Sequence, residues 1–287
     1  MQKRRLGKTG QMSSILTFGG FALGWASQKE CDAGLDLAEK AGINRIDIAP
    51  SYGDAELRLG DWIGRHGNSF FLGCKTNLRT KVGAWEELKR SLDRMKVDYF
   101  DLYQFHMVDN SRDLETILGP QGALEAVLEA RKHGLVRCIG ITGHHPPLYN
   151  TALKRFDFDT VMFPLNRVHA ATFSGWNDWR ELLKTAKEKK VGVLAIKSVA
   201  KKLWDDREQT NYNTWYQPFH EAEDIRKSLG YTLSQDIDSA VTPGDLNLLP
   251  LMIQAAEDYK PLSKKEQQQY IAEVANYPPL RGDWMEF

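Results

Sequence analysis

Asp47, Tyr52, Lys75 and His106 are the residues whose types and positions could do chemistry. Each stands at or just past the end of a short apolar run. Asp47 and Tyr52 lie in Asn44-Arg45-Ile46-Asp47-Ile48-Ala49-Pro50-Ser51-Tyr52-Gly53, Lys75 in Phe70-Phe71-Leu72-Gly73-Cys74-Lys75-Thr76, and His106 in Tyr99-Phe100-Asp101-Leu102-Tyr103-Gln104-Phe105-His106. A carboxylate, a phenol, an ammonium and an imidazole that meet at one place can deliver a proton to a carbonyl oxygen. A free phenol, with a pKa of about 10, holds its proton too firmly at neutral pH, and closing a gap of about three units is worth roughly 4 kcal/mol. The expectation is that the Lys75 ammonium lowers the Tyr52 pKa by stabilising phenolate. Asp47 then keeps Lys75 charged and in place, and His106 hydrogen-bonds the carbonyl and orients it. None of the four supplies a hydride, so reduction requires a bound nicotinamide cofactor. Singly they have plainer readings: Asp47 as a turn cap, Tyr52 as a packing residue, Lys75 as a solvated strand end and His106 as a core histidine. The signal lies in the four together, in this order.

Such residues converge only if the runs that carry them are neighbouring parallel strands. Strand-type runs occur near Ser14–Phe18, Asn44–Ile48, Ser69–Cys74, Tyr99–Tyr103, Val136–Ile141, Thr160–Phe163, Val191–Ile196 and Ser239–Val241. Several are apolar at nearly every position, as strands covered on both faces should be. Helical stripes lie between them: Trp179, Leu182, Leu183 and Ala186; Trp85, Leu88, Leu92 and Met95; Leu124, Val127 and Leu128. These read as the inner faces of outer helices. Eight strand–helix alternations predict an α/β fold, a (β/α)8 TIM barrel, with reactive groups at the C-terminal ends of the strands. Lys3–Leu6, the turn Gly7-Lys8-Thr9-Gly10 and Gln11–Ser14 predict a short N-terminal β-hairpin ahead of it. No linker divides the chain, so residues 1–287 are expected to form a single domain. Lys201–His220 lacks a clear period and is expected to be a long loop at the active rim. The aromatic tail Tyr277–Phe287 is a second segment that could cover that rim.

Composition narrows the function classes. The chain has 287 residues, 42% hydrophobic and 26% charged, as in an ordinary globular protein. Its 38 basic and 38 acidic residues cancel, so no net field favours nucleic acid or an anionic membrane as partner. No apolar run approaches the roughly 18 residues of a membrane span. Cys31, Cys74 and Cys138 are far apart and odd in number, which argues against a disulfide framework or a metal site. The pair His144-His145 does not change this, because adjacent residues seldom chelate one ion together. Lone thiols and a basic start without an apolar stretch point to a cytoplasmic protein.

The chain resembles the aldo-keto reductase family over nearly all of its length. Arg5-Leu6-Gly7-Lys8-Thr9-Gly10 and Thr17-Phe18-Gly19-Gly20 are similar to the family's hairpin and first strand, and Arg45–Gly53 matches its Asp and Tyr segment. Lys75 and His106 fall where the family places its other two catalytic residues. The resemblance implies NADPH-dependent, reversible reduction of an aldehyde or ketone by a barrel that lacks the Rossmann glycine fingerprint. It also implies a cofactor set. Gly20, Phe21 and Asp47 are on the nicotinamide side. Thr142 and Gly143 stand where the family commonly has Ser-Asn on the carboxamide, and Asn166 where a Gln or Asn meets the same group. Lys197 and Ser198 follow the seventh strand, where a Lys could meet the pyrophosphate as a point charge. After the eighth strand, Val241-Thr242-Pro243-Gly244-Asp245-Leu246-Asn247-Leu248 has no basic residue for an adenosine 2′-phosphate and carries Asp245 instead. NADP(H) is therefore the expectation on family grounds, with NAD(H) left open.

Two other functions fit parts of the pattern. One is a Schiff-base lyase or aldolase with Lys75 as nucleophile, which needs a neutral amine that an adjacent Asp47 opposes. The other is a non-enzymatic nicotinamide-sensing subunit. The expected partner is a small carbonyl compound. Trp25, Trp204, Trp215, Tyr216 and Trp284 are candidate pocket walls, which would suit an apolar or aromatic substrate. The sequence does not give the oligomeric state.

Overall fold

Apolar side chains at nearly every position bury eight runs on both faces, and these runs form one closed parallel barrel. The computed structural model describes residues 1–206, 210–278 and 280. Strands β1 (Lys3–Arg5) and β2 (Met12–Ser14) come first, followed by β3 (Leu16–Gly19), β4 (Arg45–Asp47), β5 (Phe71–Thr76), β6 (Phe100–Phe105), β7 (Val136–Thr142), β8 (Thr160–Pro164) and β9 (Gly192–Ile196). Then come β10 (Ala200–Leu203), β11 (Tyr216–Pro218) and β12 (Ser239–Val241). The barrel order is β12-β3-β4-β5-β6-β7-β8-β9, so strands of rising number stand side by side and β12 closes on β3. The register that matters places Gly19 beside Asp47, Asp47 beside Gly73 and Lys75 beside Gln104. The predicted (β/α)8 fold is the observed one.

Helices cover the outside: α1 (Gln28–Lys40), α2 (Ala55–His66), α3 (Lys81–Met95), α4 (Ser111–Leu118), α5 (Ala123–Lys132) and α6 (Pro146–Arg155). They continue with α7 (Arg167–Ala171), α8 (Arg180–Glu188), α9 (Ala222–Leu233), α10 (Leu249–Glu257) and α11 (Lys264–Ala272). The predicted stripes are their inner faces: Leu88, Leu92 and Met95 on α3, Val127 on α5, and Leu182 and Ala186 on α8 are buried in the main core, with Trp179 just before α8. Among the described residues no helix is long and apolar enough to cross a membrane.

The hairpin closes the floor of the barrel. β1 and β2 pair antiparallel, and the turn after β1 puts Leu6, fully buried, into a small cluster with Leu102, Met162, Leu194 and Val241. Those four come from strands around the ring, so the cluster fills the barrel interior. Gly7 adopts φ +47, and any side chain there would overlap the backbone of Gly192, where β9 begins. The hairpin therefore seals the end opposite the strand C-termini.

Lys201–His220 is not all loop. β10 and β11 pair antiparallel across its two ends, with Leu203 opposite Tyr216 and a bulge between Ala200 and Lys202. The strands are four and three residues long, too short to show a period, and their buried residues Ala200 and Tyr216 pack with Leu280 in a small cluster apart from the barrel core. Within the tail, residues 279 and 281–287, including Trp284, lie outside the described residues. Truncating the floor tests its energetic role. Leu6→Ala is expected to lower unfolding free energy by about 3 kcal/mol in chemical denaturation, with no change in the geometry at the opposite rim.

Candidate active site

The rim assembles because β4, β5 and β6 are adjacent and end at the same level. Asp47 is the last residue of β4, Lys75 lies one residue before the end of β5, and His106 directly follows β6. Tyr52 sits in the turn that joins β4 to α2. Met107, at φ +53, turns the chain immediately after His106.

Lys75 is the hub. Its Nζ lies 2.5 Å from Asp47 Oδ2, donates to the Ile48 carbonyl at 3.0 Å and reaches the Tyr52 hydroxyl at 3.2 Å. The Tyr52 hydroxyl is 3.5 Å from His106 Nε2, and the two rings meet edge to face. All four sequence-predicted residues are therefore in one contact chain. Lys75 is only 1% exposed, so an unpaired ammonium there would be costly. Burial pushes its pKa down, but Asp47 and then Tyr52 outweigh that, and the ammonium is held above its ordinary value. His106 goes the other way. Burial, reinforced by Lys75, drives it well below the usual histidine range, so the ring is neutral. Its Nδ1 has no hydrogen-bond partner among the described residues.

One expectation is corrected here. The phenol of Tyr52 is raised, not lowered, because burial outweighs the pull of Lys75, which Asp47 also partly cancels. Sequence could supply the ammonium but not the depth of the phenol. In the free protein Tyr52 holds its proton throughout the neutral range.

Two residues were missed. Gln104 donates from Nε2 to Asp47 Oδ1 at 2.8 Å, so each carboxylate oxygen has a donor. A polar residue two before His106 in an apolar strand shares its face, and that was the available signal. Arg45, two before Asp47, is fully buried with its guanidinium beside the Phe71 ring, and burial pushes it down to about 10 despite Asp47.

The rim opens into a cavity of about 380 Å³ lined by the tetrad together with Gly19, Phe21, Thr142, His144, Lys197, Trp215, Tyr216 and Gly244. Phe21 packs edge-on against Tyr52, with ring centroids 5.2 Å apart. The other residues of the expected cofactor set fall into two groups. Phe21, Asp47, Thr142 and Lys197 face the cavity. Gly20, Gly143, Asn166 and Ser198 are not among the residues that line it. A Cβ on Gly20 would sit 2.9 Å from the Asp47 carbonyl, so this glycine permits the close approach of β3 and β4. Gly143 is closed off by Asp109 and Tyr149, which occupy the space an Asn side chain would need. Asn166 caps α7, accepting from the His169 amide at 2.8 Å, and donates to the Lys197 carbonyl at 3.1 Å. Ser198 Oγ is buried with no partner among the described residues. Of the candidate walls, Trp215 and Tyr216 line the cavity, whereas Trp25 and Trp204 line a neighbouring groove.

A second groove of about 540 Å³ adjoins the cavity, with Gly244 on the lining of both. It runs along α1 and the turn after β12, past Glu30, Gly34, Asn213, Asp245 and Asn247. Any side chain on Gly244 would overlap the Phe21 ring. Asp245 accepts from the amides of Asn213 at 2.8 Å and Asn247 at 2.9 Å, so it ties two loops together. Cavity and groove together suit an elongated ligand with one end at the tetrad.

The Aldo/keto reductase family model matches residues 15–276. The chain is 29% identical over 247 residues to the uncharacterized oxidoreductase YqkF of Bacillus subtilis, covering 80% of this chain and 72% of that protein. It is 32% identical over 144 residues to an aldo-keto reductase of Mycobacterium avium, a match spanning 48% of each chain. In structure it is similar to the holo form of aldo-keto reductase AKR11C1 from Bacillus halodurans, with a TM-score of 0.72 at 23% identity over the full length of both chains.

The ion pair can be tested apart from any reaction. Asp47→Ala strands a buried ammonium and is expected to cost about 3–5 kcal/mol of stability. The double variant Asp47→Ala/Lys75→Met, which removes that charge, should be more stable than the single variant in urea denaturation at pH 7. A double variant no more stable than Asp47→Ala contradicts the pairing.

Proposed function

Because the chain belongs to the aldo/keto reductase family and is an oxidoreductase, we propose that it reduces an aldehyde or ketone reversibly with a nicotinamide dinucleotide, Tyr52 giving the proton. The observation that carries this reading is the Lys75 ammonium touching both Asp47 and Tyr52 on the wall of the cavity, with His106 against the same hydroxyl.

The residues present suit the cofactor. The cavity and groove joined at Gly244 suit a long ligand, and Phe21 offers an aromatic face beside Tyr52. Thr142 supplies a hydroxyl and Lys197 an amine on the cavity wall. Asn166 holds the Lys197 carbonyl at 3.1 Å, and the Ser198 hydroxyl is buried and without a partner among the described residues. When bound, the dinucleotide supplies the hydride. The chain's own residues handle the proton. Neutral His106 presents an N–H toward the carbonyl oxygen and fixes its direction. Tyr52 enters with its proton in place because burial holds the phenol up. As negative charge grows on the substrate oxygen, the proton moves from the Tyr52 hydroxyl to it. The developing phenolate lies 3.2 Å from a full positive charge, which stabilises it where water is largely excluded. Asp47 and Gln104 keep that charge in place.

Lys75 does not suit the imine route, since Asp47 and Tyr52 hold it as an ammonium without a free electron pair. Use of NADP(H) is the family-typical reading. NAD(H) is supported by a specific feature: the described lining of the groove carries Glu30 and Asp245 and no Lys or Arg.

Tyr52→Phe is expected to reduce kcat on an aldehyde and ketone panel by roughly 10²–10⁴-fold, while dinucleotide affinity, read from nicotinamide fluorescence, stays within about twofold. Running the wild type with NADPH and NADH at equal concentration separates the two cofactors. Unchanged turnover in Tyr52→Phe removes the proposed donor.

A further inference from the structure

Asp109, His144 and Lys197 form a second polar chain that the proton-transfer residues do not use. Three strand ends bring it together: Asp109 follows β6, His144 follows β7 and Lys197 directly follows β9. His144 Nδ1 is 2.9 Å from Asp109 Oδ2, while Asp109 Oδ1 accepts the His144 backbone N–H and, at 3.3 Å, the Tyr149 hydroxyl. Burial pushes the Asp109 carboxyl up, but His144 and Lys197 outweigh it and hold it below its ordinary value. A carboxylate at Nδ1 fixes the proton there. Nε2 is then the acceptor, and it faces Lys197 Nζ at 3.1 Å. Lys197 also lies over the Trp215 ring, 4.9 Å from its centroid, and lines the cavity. Its backbone is at φ +62, a left-handed conformation that is strained for a non-glycine residue. The fold tolerates that strain with the amine on the cavity wall.

Other titratable groups bear on this amine from each side. Lys75 on β5 repels its charge and Asp109 attracts it. His106, His144 and His169 on α7 are kept low by burial and carry no charge at neutral pH. Tyr52 and Tyr216 share the cavity as neutral phenols. Burial dominates and brings Lys197 down to about 7.

We propose that Lys197, backed by His144 and Asp109, is a proton-linked anion site in the cavity wall. Nζ takes one proton from solvent when an oxyanion group of a bound ligand seats against it, and returns that proton when the group leaves. The oxyanion is the diphosphate of a dinucleotide or a carboxylate on the carbonyl substrate. The inference rests on the reductase reading of the cavity. His144 and Asp109 are positioning residues, acting only through Lys197. Below pH 7 the ammonium is already present and affinity is full. As pH rises through 7 the amine must be charged on binding, so affinity falls.

The test is a fluorescence titration of NADH, whose diphosphate does not titrate near neutrality, between pH 6.0 and 8.5. Wild-type affinity should weaken roughly thirtyfold across that range. Lys197→Arg should be flat, Lys197→Met weak throughout, and Asp109→Asn should move the midpoint to lower pH. If NADH binding is flat in the wild type, the carboxylate source is read from the kcat/KM ratio of 4-carboxybenzaldehyde to benzaldehyde. That ratio should fall with pH in the wild type and not in Lys197→Arg. Wild-type and Lys197→Arg profiles that coincide in both arms overturn the proposal. An unmoved midpoint in Asp109→Asn overturns the part given to Asp109 and His144. Absence of benzaldehyde turnover by folded wild type instead counts against the reductase reading, and the NADH arm still reads the anion site.

Discussion

A lysine ammonium removed from water needs a countercharge within reach, and the rim of this barrel is arranged around that need. Lys75 is 1% exposed and meets Asp47 at 2.5 Å. Neither residue could be buried alone at tolerable cost. Gln104 occupies the other Asp47 oxygen, the Ile48 carbonyl takes a second Lys75 proton, and the Tyr52 hydroxyl takes the third direction. The hub requires β4, β5 and β6 side by side with Asp47 level with Gly73 and Lys75 level with Gln104. A one-residue slip of β5 would point Lys75 to the outer face.

The cavity holds two lysines whose fates differ: Lys75 is buried and Lys197 is half-buried on the wall. Lys75 touches a carboxylate and is raised; Lys197 touches a neutral imidazole, with its carboxylate one residue further away, and falls to about 7. Burial acts on both in the same direction. Contact with a full charge decides the first, and its absence decides the second. One amine is thereby held as a cation against the Tyr52 hydroxyl, and the other is brought close to neutrality. The same competition sets Tyr52, where burial exceeds the pull of Lys75.

Much of this was legible in the sequence because buried parallel strands write themselves as continuous apolar runs. All eight barrel strands fall on the runs read from sequence, and the outer helices carry the expected stripes. Asp47, Lys75 and His106 were legible as polar interruptions at the ends of such runs, and Tyr52 through the segment it shares with the family. What was not legible depends on distance in space. The β10–β11 pair is too short to show a period, and its buried residues pack against Leu280, far away in sequence. Gln104 serves a carboxylate on another strand, and Asp109 reads as an ordinary loop acid until His144 is placed against it. The direction of the Tyr52 shift needed its burial, which no local pattern encodes. Gly143 looked like a lost amide; its space is in fact taken by Asp109 and Tyr149.

The measurement closest to the Asp47–Lys75–Tyr52 chain is the titration of the Tyr52 hydroxyl itself. Tyrosine labelled with ¹³C at Cζ, assigned by loss of its signal in Tyr52→Phe, reports ionisation directly by NMR. In wild-type protein Tyr52 should titrate above an ordinary phenol, and in Lys75→Met it should titrate higher still, because burial then acts without the opposing ammonium. Identical curves for wild type and Lys75→Met would mean that the lysine exerts no pull on the phenol, and the rim would have no means of stabilising the phenolate.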